Sequence, residues 1–210
     1  MNGLTTIVKE NTINMFSKHY GKSYMQLINE LEIKFDDKMP KNIGNIIIRK
    51  IIDSAKYEGI TIPKGIILKS IRVNERGTPV ESMSFAQIKY LEISKEDWEN
   101  SYLFNTLSKE FLFVIFKLLS KEDRNPTLSK VMFWKMNDDD LDLASKFWEL
   151  TKDSINRGDF QNFITLKNNF ICHVRSKGLS NMDLMETPQG TMEPKKGYWL
   201  NSTYIKTQIL

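Results

Sequence analysis

The sequence predicts a mixed α/β layer fold, with helices surrounding two or three buried strands. Short runs at 66–73 and 111–116 are rich in β-branched and aromatic residues and read as core strands. Longer stretches at 43–57 and 141–156 repeat apolar residues at helical spacing. The bulk for a core is present: 210 residues, 40% hydrophobic, with twelve Phe, seven Tyr and four Trp. Such a chain suits one ordinary globular domain over 1–210, or two small lobes sharing a core, and not a disordered segment.

In order along the chain, residues 4–20 carry Ile7, Ile13, Met15 and Phe16, and a short helix is expected there, ending at Gly21. Ser23 is placed to cap a second, whose Met25, Leu27, Ile28, Leu31 and Ile33 are helical in part. Asp36 to Pro40 breaks the pattern, and a third helix is expected over 43–57 with Ile46, Ile47, Ile51 and Ile52 facing a core. Gly59, Pro63 and Gly65 lead into the first strand, which Glu75-Arg76-Gly77 closes. Residues 84–91 read as a loop with a short segment, and 97–105 as a charged, aromatic turn. Strands follow at 111–116 and 131–134.

Asp138-Asp139-Asp140 stands before a helix that carries Leu141, Phe147, Trp148, Leu150 and Ile155 and ends at Gly158. A triple aspartate invites a metal reading. Acids there also satisfy free backbone N–H groups and the helix dipole, and capping is the expectation. The tail offers a strand at 170–175, a loop with Gly178, Pro188, Gly190, Pro194 and Gly197, and then Tyr198-Trp199-Leu200.

The net charge is +4, and residues 167–210 hold six Lys/Arg against three acids, so most of the excess sits in the tail. A basic end suggests a polyanion-facing surface, although a solvated lysine surface gives the same count. The single cysteine, Cys172, excludes an intramolecular disulfide and lies in the apolar run Phe170-Ile171-Cys172, as a buried thiol would. The N-terminal MNGLTTIVKENT lacks a basic region followed by an apolar core, and apolar runs such as 111–116 are too short to span a bilayer. A cytoplasmic protein without membrane contact is the expectation.

Three ordered stretches carry a family likeness. They are Lys41-Asn42-Ile43-Gly44-Asn45-Ile46-Ile47-Ile48; then Pro63-Lys64-Gly65-Ile66-Ile67-Leu68-Lys69-Ser70-Ile71; then His173-Val174-Arg175-Ser176-Lys177-Gly178 with Thr187-Pro188-Gln189-Gly190 and Lys195-Lys196-Gly197-Tyr198-Trp199-Leu200. Glu81 to Phe85 and Trp98 to Ser101 fit between them. The set resembles the MutH mismatch-repair nicking enzyme and the staphylococcal-type restriction enzymes that cut at GATC, over roughly residues 17–205. The resemblance implies a PD-(D/E)xK nuclease fold, with a mixed central sheet flanked by helices. In that fold carboxylates hold Mg²⁺ beside the scissile phosphate and a lysine two residues past the last of them helps to activate water.

The likeness departs from the pattern at that centre. With Gly44, Gly65 and Lys69 as anchors, the three carboxylate positions are Ile48, Ile60 and Ile67, and Lys69 alone remains. Isoleucine offers a hard cation no lone pair. Asp53, Glu58 and Glu75 lie nearby in sequence but lack the spacing on the strand. No catalytic or metal-binding residue, and no cofactor for this domain, is therefore expected.

In the family, the "R-x-K" loop and an aromatic near the C-terminal "[FY]-[YW]-L" reach the bases. By position these are Arg175 and Lys177, with Ser176 and Gly178 between and after them, and Tyr198 or Trp199. Lys195 and Lys196 suit phosphates. Other readings stand beside these: a solvated strand edge for Arg175 and Lys177, core positions for the aromatics, a structural role for His173 and an ordinary surface place for His19. The resemblance further implies a Mg²⁺-dependent type II site-specific deoxyribonuclease as the parent enzyme. This chain would be its non-catalytic C-terminal MutH-like half, binding a second duplex GATC copy and activating the catalytic half, by looping or dimerising on DNA. An active GATC endonuclease with displaced ligands and a dimerisation scaffold without DNA readout are the alternatives.

Overall fold

The computed structural model describes residues 3–120, 122–168 and 170–210, with the side chains of 3–5 excepted. In chain order the elements are α1 (Gly3–Ser17), α2 (Tyr24–Glu30), α3 (Ile43–Tyr57), β1 (Ile67–Val73), β2 (Met83–Gln87), α4 (Tyr90–Ile93), α5 (Tyr102–Leu107), β3 (Glu110–Lys117), β4 (Thr127–Lys135), α6 (Asp138–Asn156), β5 (Cys172–Ser176), β6 (Leu184–Glu186), β7 (Met192–Pro194), β8 (Lys196–Leu200) and α7 (Ser202–Ile209). Two compact units share them. One takes the residues up to Val80 and Glu110–Trp134; the other takes Glu81–Lys109 and Lys135–Leu210.

The first unit is built on a sheet of order β1-β3-β4, with β1 and β3 parallel. Ile43, Ile47, Ile48, Ile51 and Ala55 recur at helical spacing and form the buried stripe of α3. They share a core with Leu112, Val114 and Phe116 of β3 and with Leu128 and Val131 of β4. Strand alternation turns Phe111 and Phe113 to the other face, where Phe113 stacks on Trp134 with ring centroids 5.1 Å apart. Ser23 caps α2 as its sequence suggests: its hydroxyl accepts from the Gln26 amide, and the Gln26 side chain accepts from the Ser23 amide. Gly44 lets α2 approach α3, because a Cβ there would lie 2.5 Å from the Tyr24 hydroxyl.

The second unit carries a sheet of order β2-β8-β5 and a separate β6–β7 hairpin. α6 starts at Asp138, and its N-cap is Asn137, whose side chain accepts from the Asp140 amide at 2.8 Å. The three aspartates occupy the first helical turn, where the dipole favours them. Ala144, Phe147, Trp148, Thr151 and Ile155 form its buried face.

Several local expectations need correction. Residues 83–87 form β2, with Met83 and Phe85 alternating inward, where a loop is expected from the sequence; five residues are too few for that period to stand out. The aromatic turn expected at 97–105 gives way at Tyr102 to α5, capped by the Ser101 hydroxyl accepting from the Phe104 amide at 3.1 Å. The tail loop contains the β6–β7 hairpin, and α7 follows β8. Among the described residues no helix is long and apolar enough to cross a membrane.

Candidate nucleic-acid interface

The β2-β8-β5 sheet has two chemically distinct faces, and register decides which side chain goes where. β5 and β8 are antiparallel, pairing Cys172 with Leu200, His173 with Trp199, Val174 with Tyr198, Arg175 with Gly197 and Ser176 with Lys196. Partners directly opposite project on the same side, and neighbours along a strand alternate. Cys172, Val174, Tyr198 and Leu200 therefore share one face, and all are buried. Tyr198 meets Phe147 of α6 edge-on, with ring centroids 6.1 Å apart. Burial pushes the Cys172 thiol far above its ordinary range, as it does the Tyr198 phenol.

His173, Arg175 and Trp199 share the other face. The Arg175 guanidinium carbon lies 5.3 Å from the centre of the Trp199 ring, and the Lys177 ammonium 5.2 Å from the same centre. Both separations fall within the range of cation–π attraction. Lys177 lies just past β5, with its amide donating to the Lys195 carbonyl at 2.9 Å. Gly197 clears its path, since a Cβ there would sit 2.9 Å from Lys177 Cδ. The aliphatic stem of Lys177 thus runs over Gly197 while its ammonium reaches the indole.

Trp199 also has a cross-strand neighbour. The His173 ring stacks on it at 6.4 Å between centroids, with 25° between planes. His173 Nδ1 is hydrogen-bonded to Asn201 Oδ1, and the Asn201 amide donates to the Phe170 carbonyl. His173 Nε2 and Trp199 Nε1 are buried without a hydrogen-bond partner among the described residues. Burial, opposed by the Asn201 hydrogen bond and reinforced by the Arg175 charge, lowers the His173 pKa from its ordinary value. Burial likewise lowers that of Lys177.

Of the residues expected to touch DNA, the structure brings Arg175, Lys177 and Trp199 together. Tyr198 is not among them: it is 3% exposed and sits in the core. Ser176 and Lys196 pair on the Tyr198 side of the sheet. Lys195 Nζ lies 2.5 Å from Asp183 Oδ1, so its ammonium is committed within the protein. Gly178 opens the loop that Asp183 closes. His173, Asn201 and Gly197 escape a reading by residue type; the parity of 173, 175, 197 and 199 is the signal that groups two of them with Arg175 and Trp199.

The first unit shows where the nuclease positions fall. Ile48 is fully buried in the α3 core and Ile60 packs against the same cluster. Ile67 is half-buried on β1 in register with Phe111, and Lys69 is in register with Phe113. These aliphatic side chains offer no oxygen ligands, so the set does not fit Mg²⁺. Of the nearby acids, Asp53 pairs with Lys56 at 2.7 Å and Glu58 with Lys18 at 3.0 Å, both on the surface. Among the described residues no group of three or more His, Cys, Asp or Glu gathers to hold a metal ion.

Comparison with known proteins agrees with this architecture. Residues 54–146 match the sequence model of a family described as the DNA mismatch repair enzyme MutH. The fold is of the α/β, PD-(D/E)xK restriction-endonuclease class. Over 187 aligned residues the chain is 24% identical to the type II restriction enzyme Sau3AI of Staphylococcus aureus. That match takes in 69% of this chain and 38% of the relative, so the chain corresponds to a good deal less than the whole enzyme. Together the two likenesses support a MutH-like restriction-endonuclease domain. The family match spans Ile60, Ile67 and Lys69 and ends before the β5–β8 face.

Proposed function

We propose that this chain binds duplex DNA at GATC through the Arg175–Lys177–Trp199 face and does not cut it. The observation that carries the reading is the convergence of two cations, one on β5 and one just past its end, on a single indole ring. Arg presents a planar fork matched to guanine O6 and N7, and Lys reaches the same acceptors; good contacts of this kind give about 1–3 kcal/mol of discrimination. A guanidinium and an ammonium already seated on a ring lose less freedom on binding than free surface side chains. Lys196, paired with Ser176 on the opposite side of the sheet, lies off this face.

The isoleucines at 48, 60 and 67 support the second half of the proposal. Phosphodiester hydrolysis in this fold needs a hard cation held by oxygen, and these positions supply none. The chain then serves a larger, cytoplasmic, Mg²⁺-dependent type II restriction enzyme as its inert C-terminal half. A second GATC copy bound here shifts the assembly toward a state, looped or dimeric on DNA, in which the catalytic MutH-like half cuts. Such coupling requires that DNA at this site favour one assembly over another.

The test is a binding titration of the chain on GATC and scrambled duplexes over a range of salt, with and without Mg²⁺. The expected result is a GATC preference, a steep fall in affinity with salt and intact DNA in every lane. Equal affinity for the two duplexes overturns base readout, and cleavage with Mg²⁺ overturns inertness. Weak binding with little salt response points instead to a scaffold domain. For the effector role, the parent enzyme should cut two-site DNA faster than one-site DNA; equal rates remove it.

A further inference from the structure

β5 ends at Ser176, and the chain makes a loop before it re-enters regular structure at β6. Two side chains on that loop project almost wholly into water: Leu179 is 101% exposed and Met182 82%. Single exposed apolar residues are ordinary. Two at this degree of exposure, on one short loop beside a paired Arg and Lys, form a feature that the base-reading face leaves unused.

The loop is braced. The Asp183 carboxylate accepts from the Leu179 amide at 3.1 Å with one oxygen and pairs with Lys195 Nζ at 2.5 Å with the other. The Asp183 amide donates to the Ser180 carbonyl at 3.1 Å, and its own carbonyl accepts from the Lys195 amide at 3.0 Å. The Ser180 hydroxyl accepts from the Met182 amide at 3.2 Å. Lys195 in turn accepts from the Lys177 amide at 2.9 Å. A chain of hydrogen bonds therefore ties the tip, through Asp183 and Lys195, to Lys177. Lys195 has a structural task here, which explains why its ammonium is turned inward to Asp183.

We propose that Leu179 and Met182 form an apolar wedge that enters the base stack beside the step contacted by Arg175 and Lys177, unstacking and kinking the duplex. The proposal rests on the DNA-binding reading above and deepens it. Leu179 follows Lys177 by two residues, a reach of at most about 7 Å in extended chain, so DNA held at Lys177 lies within range of the loop. Duplex DNA offers apolar side chains a dry environment in the space between stacked bases. Architectural proteins insert Leu, Met, Phe, Ile or Pro there, bending the helix by roughly 20–90°. Unstacking costs free energy, and a slack loop would fold back rather than insert. The Asp183 brace resists that. The adjacent cations supply the charge complementarity that holds the backbone while the bases part.

The test uses the whole chain with GATC duplexes carrying 2-aminopurine at successive positions through and beside the site, and a second set with dyes at both ends. Binding should raise 2-aminopurine emission several-fold at one step and shorten the end-to-end distance. In Leu179→Ser with Met182→Ser, both signals should vanish, while affinity falls by about tenfold and the GATC preference remains. Because both side chains are solvent-exposed, the variant is expected to fold, and an unchanged far-UV spectrum with retained GATC preference checks this. Asp183→Asn should keep binding and give a smaller kink. A parent chain that binds GATC but leaves it straight and stacked overturns the wedge alone. So does a double variant that kinks DNA as the parent does. Loss of affinity on replacing thymine by deoxyuridine, without any 2-aminopurine signal, replaces the wedge by groove contact with thymine methyl groups. Absence of GATC preference in the parent overturns the base-reading proposal as well.

Discussion

The two three-stranded sheets of this protein have been given opposite chemistry. In the unit built on β1-β3-β4, the positions that the resemblance aligns with carboxylates are aliphatic: Ile48 on α3, Ile60 in the connection that follows and Ile67 on β1. In β2-β8-β5, one face is equally dry, but the other collects Arg175 and Lys177 on Trp199 and keeps them at the surface. On the proposed reading, holding DNA and cutting it make separable demands on a fold. A cation site needs several oxygens converging from a helix, a loop and a strand, and one aliphatic replacement removes a ligand. The proposed reading face needs two cations gathered on one ring.

The sharpest way to break the comparison is to put a charge into the core of the first unit. Ile48→Glu returns a carboxylate to a site with no room or partner for its charge, and should cost about 3–5 kcal/mol of stability, the scale of an uncompensated buried charge. Urea unfolding measures it, and the cost should be larger at pH 8 than at pH 5, because protonation relieves it. A small loss independent of pH would mean that water or a partner group already reaches this position.

On the second sheet, Arg175→Ala should remove about 1–3 kcal/mol from GATC affinity and narrow the gap from scrambled sequence, read by fluorescence anisotropy. A uniform loss on both duplexes would reassign Arg175 to phosphate contact. Trp199→Leu keeps an apolar side chain but removes the ring. Two exposed cation–π contacts at about 0.5–1 kcal/mol each set the expected loss of affinity, with Arg175 and Lys177 becoming more mobile by side-chain NMR. Unchanged binding would show that the ring does not organise the cations.

The smallest expected effect is a pH response. Burial depresses the His173 pKa below its ordinary 6.5, so the unfolded chain takes up the proton first as pH falls. Stability should therefore be steady above about pH 6.5 and decline as pH falls from there toward the depressed value. His173→Gln should flatten that part of the profile in urea titrations at a series of pH values. A profile unchanged by this substitution would place the titrating group elsewhere.

Much of this architecture can be read from residues alone. The α3 helix is legible to its ends, 43–57, because four isoleucines at helical spacing lie between an Asn-initiated start and Glu58-Gly59. β3 is legible because its six central residues are all apolar. β2, α5 and the β6–β7 hairpin are not, since elements of three to six residues owe their form to tertiary neighbours more than to local pattern. At the candidate interface, residue type nominates Arg175, Lys177, Tyr198 and Trp199 together. Only the register, with Val174 opposite Tyr198 and His173 opposite Trp199, sorts the two aromatics into core and surface. That sorting depends on strand pairing, which no local motif encodes. The support under Trp199 from His173 and Asn201, residues 28 apart, is hidden for the same reason.

Cys172 gives the molecule a built-in gauge. It is the sole thiol of the chain and is wholly enclosed on the dry side of β5, directly behind the strand that carries Arg175. A thiol reagent can reach it only when that sheet opens, so the labelling rate clocks the opening without any engineered probe. A ligand seated on the opposite side of the same strand should slow the clock in proportion to its occupancy.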